Sequence, residues 1–301
     1  MAATSDAPEA LVVESRGELL VAKFTAMASP CEVLWSSTEH GSALALGTIA
    51  ATEVLRIEKK FSRYRDDSIT AWIHGHRGTT IEVDEETASL IDFARQCYDL
   101  SEGLFDITSG VLRRAWKFDG SDRVPEPALV ESLLPLVGFD KVFWQSPHLR
   151  LPAGMELDFG GIGKEYAVDR VCDLLAARDS APFLINFGGD LRANRRPPRG
   201  PWQVGIERPD AVREATLLLD LEHGALATSG DSRRYLLRDG IRYGHILDPR
   251  TGWPVPGSPR SVTVAASSCT EAGVLATLAL LHGARAEQYL QDEGVRCWIL
   301  R

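Results

Sequence analysis

The sequence predicts an α+β fold in which mixed β-sheets pack against helices. Three observations predict it. Runs with helical spacing, at 41–61, 83–97 and 269–283, are interleaved with short β-rich runs, so both element types share a core. Turn signals at 27–30 and at Asp239-Gly240 join neighbouring strand runs as hairpins, which a doubly wound parallel sheet does not need. Of the 301 residues, 44% are hydrophobic and 25% charged, an ordinary globular profile with ample length for a core.

Residues 1–17 are small, polar and proline-containing, and predict a disordered tail before a single domain over 18–301. The start lacks the charged and apolar regions of a signal peptide and carries no lipoprotein-type cysteine. No apolar run is long enough to span a membrane, and the expected location is cytoplasmic. A strand over 18–26, a turn at Met27-Ala28-Ser29-Pro30 and a strand over 31–35 make the first hairpin. Helix 41–61 follows, with Ala45, Ile49, Val54, Ile57 and Phe61 at helical intervals. It runs into FSRYRDDS, where Tyr64 lies between Arg63 and Arg65. That is either a surface turn with solvated arginines or an aromatic platform for a planar ligand. His74 and His76 fit one face of a strand and, with no third ligand in sight, read as surface residues. Asp84 is placed to cap a helix over 83–97, ahead of a Glu-rich first turn. Short helices over 112–116 and 125–134 and short strands over 141–144 and 149–151 complete the first half.

The stretch LDFGGIGKEYAVD, 157–169, joins an apolar strand-like run to a helix through Gly160, Gly161 and Gly163, with Lys164 at the helix start. Glycines let a backbone approach an anion, and free N–H groups at a helix start point at it. The other reading is a tight strand-to-helix turn with a solvated lysine. Strand runs follow at 183–187, ending at Gly188-Gly189-Asp190, and at 202–207 and 215–221. His245 and Asp248 then precede a Pro-Arg-Thr-Gly turn. A β-rich run at 261–266, a helix over 269–283 and a last strand end the chain.

A net charge of −9 leaves no basic surplus for non-specific nucleic-acid binding, and the arginines at 195–199 sit among prolines in a loop. The five cysteines, with no CxxC pair, read as reduced thiols, mostly small core residues.

FSRYRDDS, GLFDITSG, LDFGGIGKEYAVD, NFGGD, ATSGD and HILDPRTGWPV, followed by SVTVAA and LATLALL, occur in this order. The ordered set resembles the FAD:protein FMN transferase family, the ApbE-type flavin transferases, over 25–283. The resemblance implies a compact unit with a nucleotide cleft. It also implies an activity: FAD is cleaved, FMN is attached through a phosphoester to a Thr or Ser of a partner flavoprotein, AMP is released, and Mg²⁺ is used. On that resemblance Met27, Tyr64, Leu104, Phe105, Asp106, Asp158, Lys164, His245 and Ile246 contact FAD. Lys164 and His245 are the catalytic pair, with His245 accepting the proton of the attacking hydroxyl. The carbonyl of Gly161 and Thr277 would hold the metal. Gly273 stands where the family has a metal-binding aspartate, and Glu271 is the nearest acid in sequence. Glu165 stands where the family has glycine. Two other functions follow from Gly273 and from the chemistry: an FAD-binding protein with weakened or lost catalysis, or a metal-dependent FAD pyrophosphatase that gives FMN and AMP.

Overall fold

A computed structural model describes residues 11–36, 39–208, 211–231 and 234–301, the side chains of 208 and 211–216 excepted. Strands β1 (Val12–Arg16), β2 (Leu19–Ala26) and β3 (Ser29–Trp35) open it. This corrects the tail expected over 1–17, because β1 pairs antiparallel with β2, from Val12 opposite Lys23 to Arg16 opposite Leu19. Glu14 pairs with Lys23 and Arg16 with Glu32, so a polar segment that reads as a tail is a charged sheet edge. Residues 1–10 of the expected tail lie outside the described residues. The turn between β2 and β3 is Met27 and Ala28 alone, at φ 52° and 54°, and Ser29 and Pro30 belong to β3. Positive φ at both central residues is what a two-residue hairpin of this hand requires.

Next come α1 (His40–Phe61), α2 (Ile69–Gly75), β4 (Ile81–Glu82) and α3 (Glu85–Leu100). The Asp84 cap is present, its carboxylate accepting the Thr87 N–H at 3.2 Å. The strand expected around His74 and His76 is the end of α2 instead, started by Ser68, whose hydroxyl accepts the Ala71 N–H. His74 is no surface residue: its Nε2 accepts the Leu157 N–H at 2.9 Å and so positions the chain one residue before Asp158. A 3-10 helix (Ile107–Arg114), α4 (Pro127–Leu133), β5 (Phe143–Gln145) and β6 (His148–Arg150) lead to a 3-10 turn (Phe159–Gly161) and α5 (Gly163–Ala176). The second half contains β7 (Phe183–Phe187), β8 (Asp190–Ala193), β9 (Trp202–Arg208), β10 (Ala211–Leu221), β11 (Gly224–Gly230), β12 (Tyr235–Arg238), β13 (Ile241–Gly244) and β14 (Ser261–Ala266). It ends with α6 (Cys269–Leu281), α7 (Ala286–Asp292) and β15 (Arg296–Leu300).

Eight strands form one sheet in the order β1-β2-β3-β7-β8-β11-β14-β15. The α+β class holds, and within it every pairing in this sheet is antiparallel. Strand alternation explains its two covered faces. Cys31, Val33, Trp35, Phe183, Ile185 and Phe187 point to the face on which α1, α5 and α6 pack. Their alternates Leu34 and Leu184 point to the other face, which the β9–β10 ribbon covers with Trp202, Val204 and Leu219. A second core gathers Ile57, Phe61, Ile91, Leu104, Phe105, Phe159 and Ile162. Helix α6 serves both cores: Ala272, Ala276 and Ala279 face the sheet, and Val274, Leu278 and Leu281 face the second core. That is why it is apolar all round. All five cysteines are free thiols and four are buried, as expected.

Candidate active site

The 3-10 turn before α5 is built by Asp158. Its Oδ1 accepts the Gly160 N–H at 2.9 Å, and its other oxygen pairs with Arg63. Arg63 also donates to the Tyr64 hydroxyl at 2.7 Å and lies over the Tyr64 ring, which is 77% exposed. FSRYRDDS is a surface turn in which Tyr64 is an exposed ring, held by an arginine tied to the glycine turn. The backbone of Asp158 donates to the Ile107 carbonyl at 2.8 Å. Gly110 lies so close to the Asp158 side chain that a Cβ there would come within 2.5 Å of it. Leu104 and Phe105 are buried in the second core, Phe105 against Gly161. Asp106 is a buried cap, accepting from the Thr108 N–H and hydroxyl at 2.7 Å each, and burial raises its pKa. Of these three, Phe105 alone touches the glycine turn. Leu104 is a core residue and Asp106 caps the 3-10 helix.

Lys164 leaves the first turn of α5 and reaches the Asp190 carboxylate, Nζ to Oδ2 at 2.6 Å. The solvated-lysine reading is thereby excluded, since Asp190 is only 2% exposed. Burial opposes the lysine's charge, but Asp190 and Glu165 outweigh it and raise its pKa above the usual lysine range. The ammonium lies beneath two adjacent turns. A Cβ on Gly188 would be 3.8 Å from Nζ and 2.8 Å from the Ser29 hydroxyl, which follows the Met27–Ala28 turn. Met27 and Ile246 each pack against both cores, so they mark the seam between the layers.

Glu165 is adjacent. Its Oε2 is shut off from solvent and has no hydrogen-bond partner. Burial first, and Asp190 second, push its pKa up to about 8. The side chain packs on Gly273 of α6, where a Cβ would meet its Cγ at 2.7 Å and its Oε1 at 3.0 Å. One turn later on α5, Asp169 accepts from the Cys269 N–H, the Thr270 N–H and the Thr270 hydroxyl, capping α6 from outside. The pairs 165–273 and 169–269 set an antiparallel register between α5 and α6. Thr277 lies one turn beyond Gly273 on α6, and its hydroxyl is 2.9 Å from that of Ser229. Glu271 is not brought to this cluster. It is exposed on the first turn of α6, where it accepts from the Ser267 hydroxyl at 2.7 Å. Among the described residues no three His, Cys, Asp or Glu side chains converge. A cation at this point would therefore draw on Glu165, the Thr277 hydroxyl, the Gly161 carbonyl and the oxygens of a substrate. That donor set suits Mg²⁺, a hard ion that often rests on one or two carboxylates plus phosphates.

His245 follows β13. Its Nδ1 lies 3.2 Å from the Arg234 carbonyl, which can only accept, so Nδ1 donates and Nε2 is left free to take a proton. Burial and then the charge of Arg234 push its pKa down to about 4, leaving the ring neutral at neutral pH. Asp231, of the ATSGD segment, anchors this region by accepting from Arg242 at 2.7 Å and Arg260 at 2.8 Å. The HILDPRTG turn is closed by Asp248, whose carbonyl accepts the Gly252 N–H at 2.7 Å and whose carboxylate holds Arg250. A cleft of about 330 Å³ runs beneath Gly244 and Ile246.

The sequence reading missed Asp190, Ser229, Asp169 and the role of Glu165. NFGGD and ATSGD contained the first two as motif letters, but nothing local says that they face Lys164 and Thr277. Asp169 reads as one more charge on an amphipathic helix.

The chain is similar to known proteins. A sequence model described as the ApbE family matches residues 27–299. An FAD:protein FMN transferase from Vibrio cholerae is 31% identical over 75% of this chain and 70% of its own length. The crystal structure of an ApbE protein from Thermotoga maritima superposes with a TM-score of 0.84, at 31% identity over 93% of this chain and 94% of that one. A Pseudomonas stutzeri flavinyl transferase ApbE in its apo form gives a TM-score of 0.82, at 28% identity over 94% of this chain and 91% of that one.

Proposed function

The chain belongs to the ApbE family, and we propose that it is an FAD:protein FMN transferase that flavinylates a threonine or serine of a partner flavoprotein. The observation that carries the reading is the cluster of Lys164, Asp190 and Glu165, together with the seam where Met27 and Ile246 join the two cores. Phosphoryl transfer needs a cradle, charge neutralisation and a positioned nucleophile. The start of α5 offers N–H groups to the pyrophosphate, and Lys164 adds a fixed positive charge. Tyr64 offers an aromatic face to a flat ring system. In the reaction, the acceptor hydroxyl oxygen bonds to the FMN phosphorus and the pyrophosphate P–O bond to AMP breaks. The hydroxyl proton passes to Nε2 of His245. Bound Mg²⁺ would neutralise pyrophosphate charge.

An FAD-binding protein with lost catalysis was motivated by Gly273, and Glu165 weakens that motive by filling the same space with another carboxylate. Among the described residues no helix is long and apolar enough to cross a membrane.

The test is incubation with FAD, Mg²⁺ and a threonine-bearing acceptor, read by mass spectrometry. The expected product is the acceptor heavier by one FMN less one water, with AMP in solution. Free FMN and AMP beside an unmodified acceptor would instead identify a pyrophosphatase. His245→Ala is expected to slow transfer by about 10²–10⁴-fold, the usual contribution of a general base, while FAD binding stays near wild type. A parallel loss of binding would make His245 a structural residue.

A further inference from the structure

We propose that Glu165 is the protein carboxylate that holds the divalent cation, reaching from α5 into the space that Gly273 leaves on α6. The inference rests on the transferase reading only for the substrate oxygens that would complete the coordination. Three observations carry it.

First, Glu165 Oε2 is closed to solvent and unpartnered. An isolated buried carboxylate is costly unless a proton, a donor or a cation meets it. The neighbouring ammonium does not fill that role, because Lys164 points to Asp190 at 2.6 Å.

Second, the position is built. Only glycine at 273 leaves room for the Glu165 side chain, since a Cβ there would overlap its Cγ at 2.7 Å. Asp169 locks the two helices together through three hydrogen bonds to the start of α6, which fixes the rotation and height of α5 one turn away from Glu165. A carboxylate held this tightly loses little freedom on binding a cation.

Third, other oxygens lie along the same register. Thr277 is one turn beyond Gly273 on α6, its hydroxyl beside that of Ser229. Glu271 faces Ser267 at the opposite end of this face and does not compete. The two departures from the family pattern, glutamate at 165 and glycine at 273, thereby become one exchange: the carboxylate arrives from α5 instead of α6.

The experiment titrates the full chain with Mn²⁺ and follows the free ion by electron paramagnetic resonance. ADP is included, because it carries the adenosine and pyrophosphate of FAD and has no FMN to transfer. The wild-type protein is expected to bind Mn²⁺, and Glu165→Gln to bind it at least about tenfold more weakly, since even residues behind the ligands commonly shift metal affinity by that much. The double variant Glu165→Gly/Gly273→Asp returns a carboxylate to the same space from the other helix and is expected to recover most of the loss. Thermal unfolding of each variant confirms folding. Wild-type affinity in Glu165→Gln, a double variant no tighter than Glu165→Gln, or a wild-type protein that binds no Mn²⁺ would each overturn the assignment. The two readings fail separately. Transfer by a protein whose Mn²⁺ affinity ignores Glu165 contradicts only this inference, and Glu165-dependent Mn²⁺ binding with no flavinylated acceptor contradicts only the transferase.

Discussion

Glu156 and Glu165 lie on either side of the glycine turn, and the protein treats them in opposite ways. Glu156 is buried with both oxygens occupied: Arg113 donates to one at 2.9 Å and Arg114 to the other at 2.6 and 2.9 Å. Burial works against its charge, but the two arginines outweigh it and lower its pKa below the usual carboxylate range. Glu165 has an oxygen just as closed to solvent and no donor on it, and its pKa is pushed up to about 8. The first carboxylate is finished by the fold and ties the 3-10 helix Ile107–Arg114 to the segment before Asp158. The second is left for something the chain does not supply. A buried acid with its partners in place is architecture, and one without them is a binding position.

The largest effect is expected where the unfinished region is held together. Lys164→Met leaves the Asp190 carboxylate buried without its cation and should cost about 3 kcal/mol of stability, the lower end for breaking a buried pair because Lys164 is partly exposed. Adding Asp190→Asn should restore most of it. A denaturant titration in which Lys164→Met unfolds like wild type would remove the ion pair from the account.

The comparison itself is tested by two matched substitutions in metal-free protein. Glu156→Gln removes charge-assisted hydrogen bonds and should destabilise by about 2 kcal/mol. Glu165→Gln removes an acid that has no partner on Oε2 and should be neutral or stabilising. Equal losses from the two would erase the distinction.

The smallest effect is in pH dependence. For Glu165 the folded pKa, about 8, lies above the ordinary glutamate value of 4.5, so the folded state binds the proton more tightly. Its contribution to stability is complete below that unfolded value and is lost as pH rises through about 8. For Glu156 the shift is downward, so its contribution is present above 4.5 and is lost as pH falls through its folded value. The melting temperature of metal-free Glu165→Gln should therefore fall less than that of wild type between pH 4.5 and about 8. Parallel curves would show that Glu165 ionises in the fold as it does in the unfolded chain.

Much of this was legible in the sequence, where local chemistry decides structure. The Asp239-Gly240 hairpin forms with φ of 52° and 75°, as that dipeptide favours. The β-rich run at 261–266 is β14 as read, because its alternating side chains fill a buried sheet. Elements that depend on neighbours were not legible. Strand β11 is the glycine- and alanine-rich GALATSG, which has no strand pattern of its own and is ordered by β8 and β14 on either side. Helix α2 carries His74 in its last turn, where it binds the Leu157 backbone, a contact with a distant segment that no local pattern records. The site followed the same division. Asp158, Lys164, His245 and Thr277 stood out in motifs, but the contact between Glu165 and Gly273 joins two distant helices. No periodicity in one sequence records it, and Glu271 was nominated only because it was near in the chain.

Anomalous diffraction from crystals grown with Mn²⁺ and ADP would show directly whether Glu165 is the open carboxylate of a cation site. The expected result is a manganese peak about 2.1 Å from Glu165 Oε2, the distance for a small hard cation, with Thr277 and the ADP phosphates beside it. A peak on Glu271, or bound manganese with Glu165 Oε2 still unliganded, would contradict it.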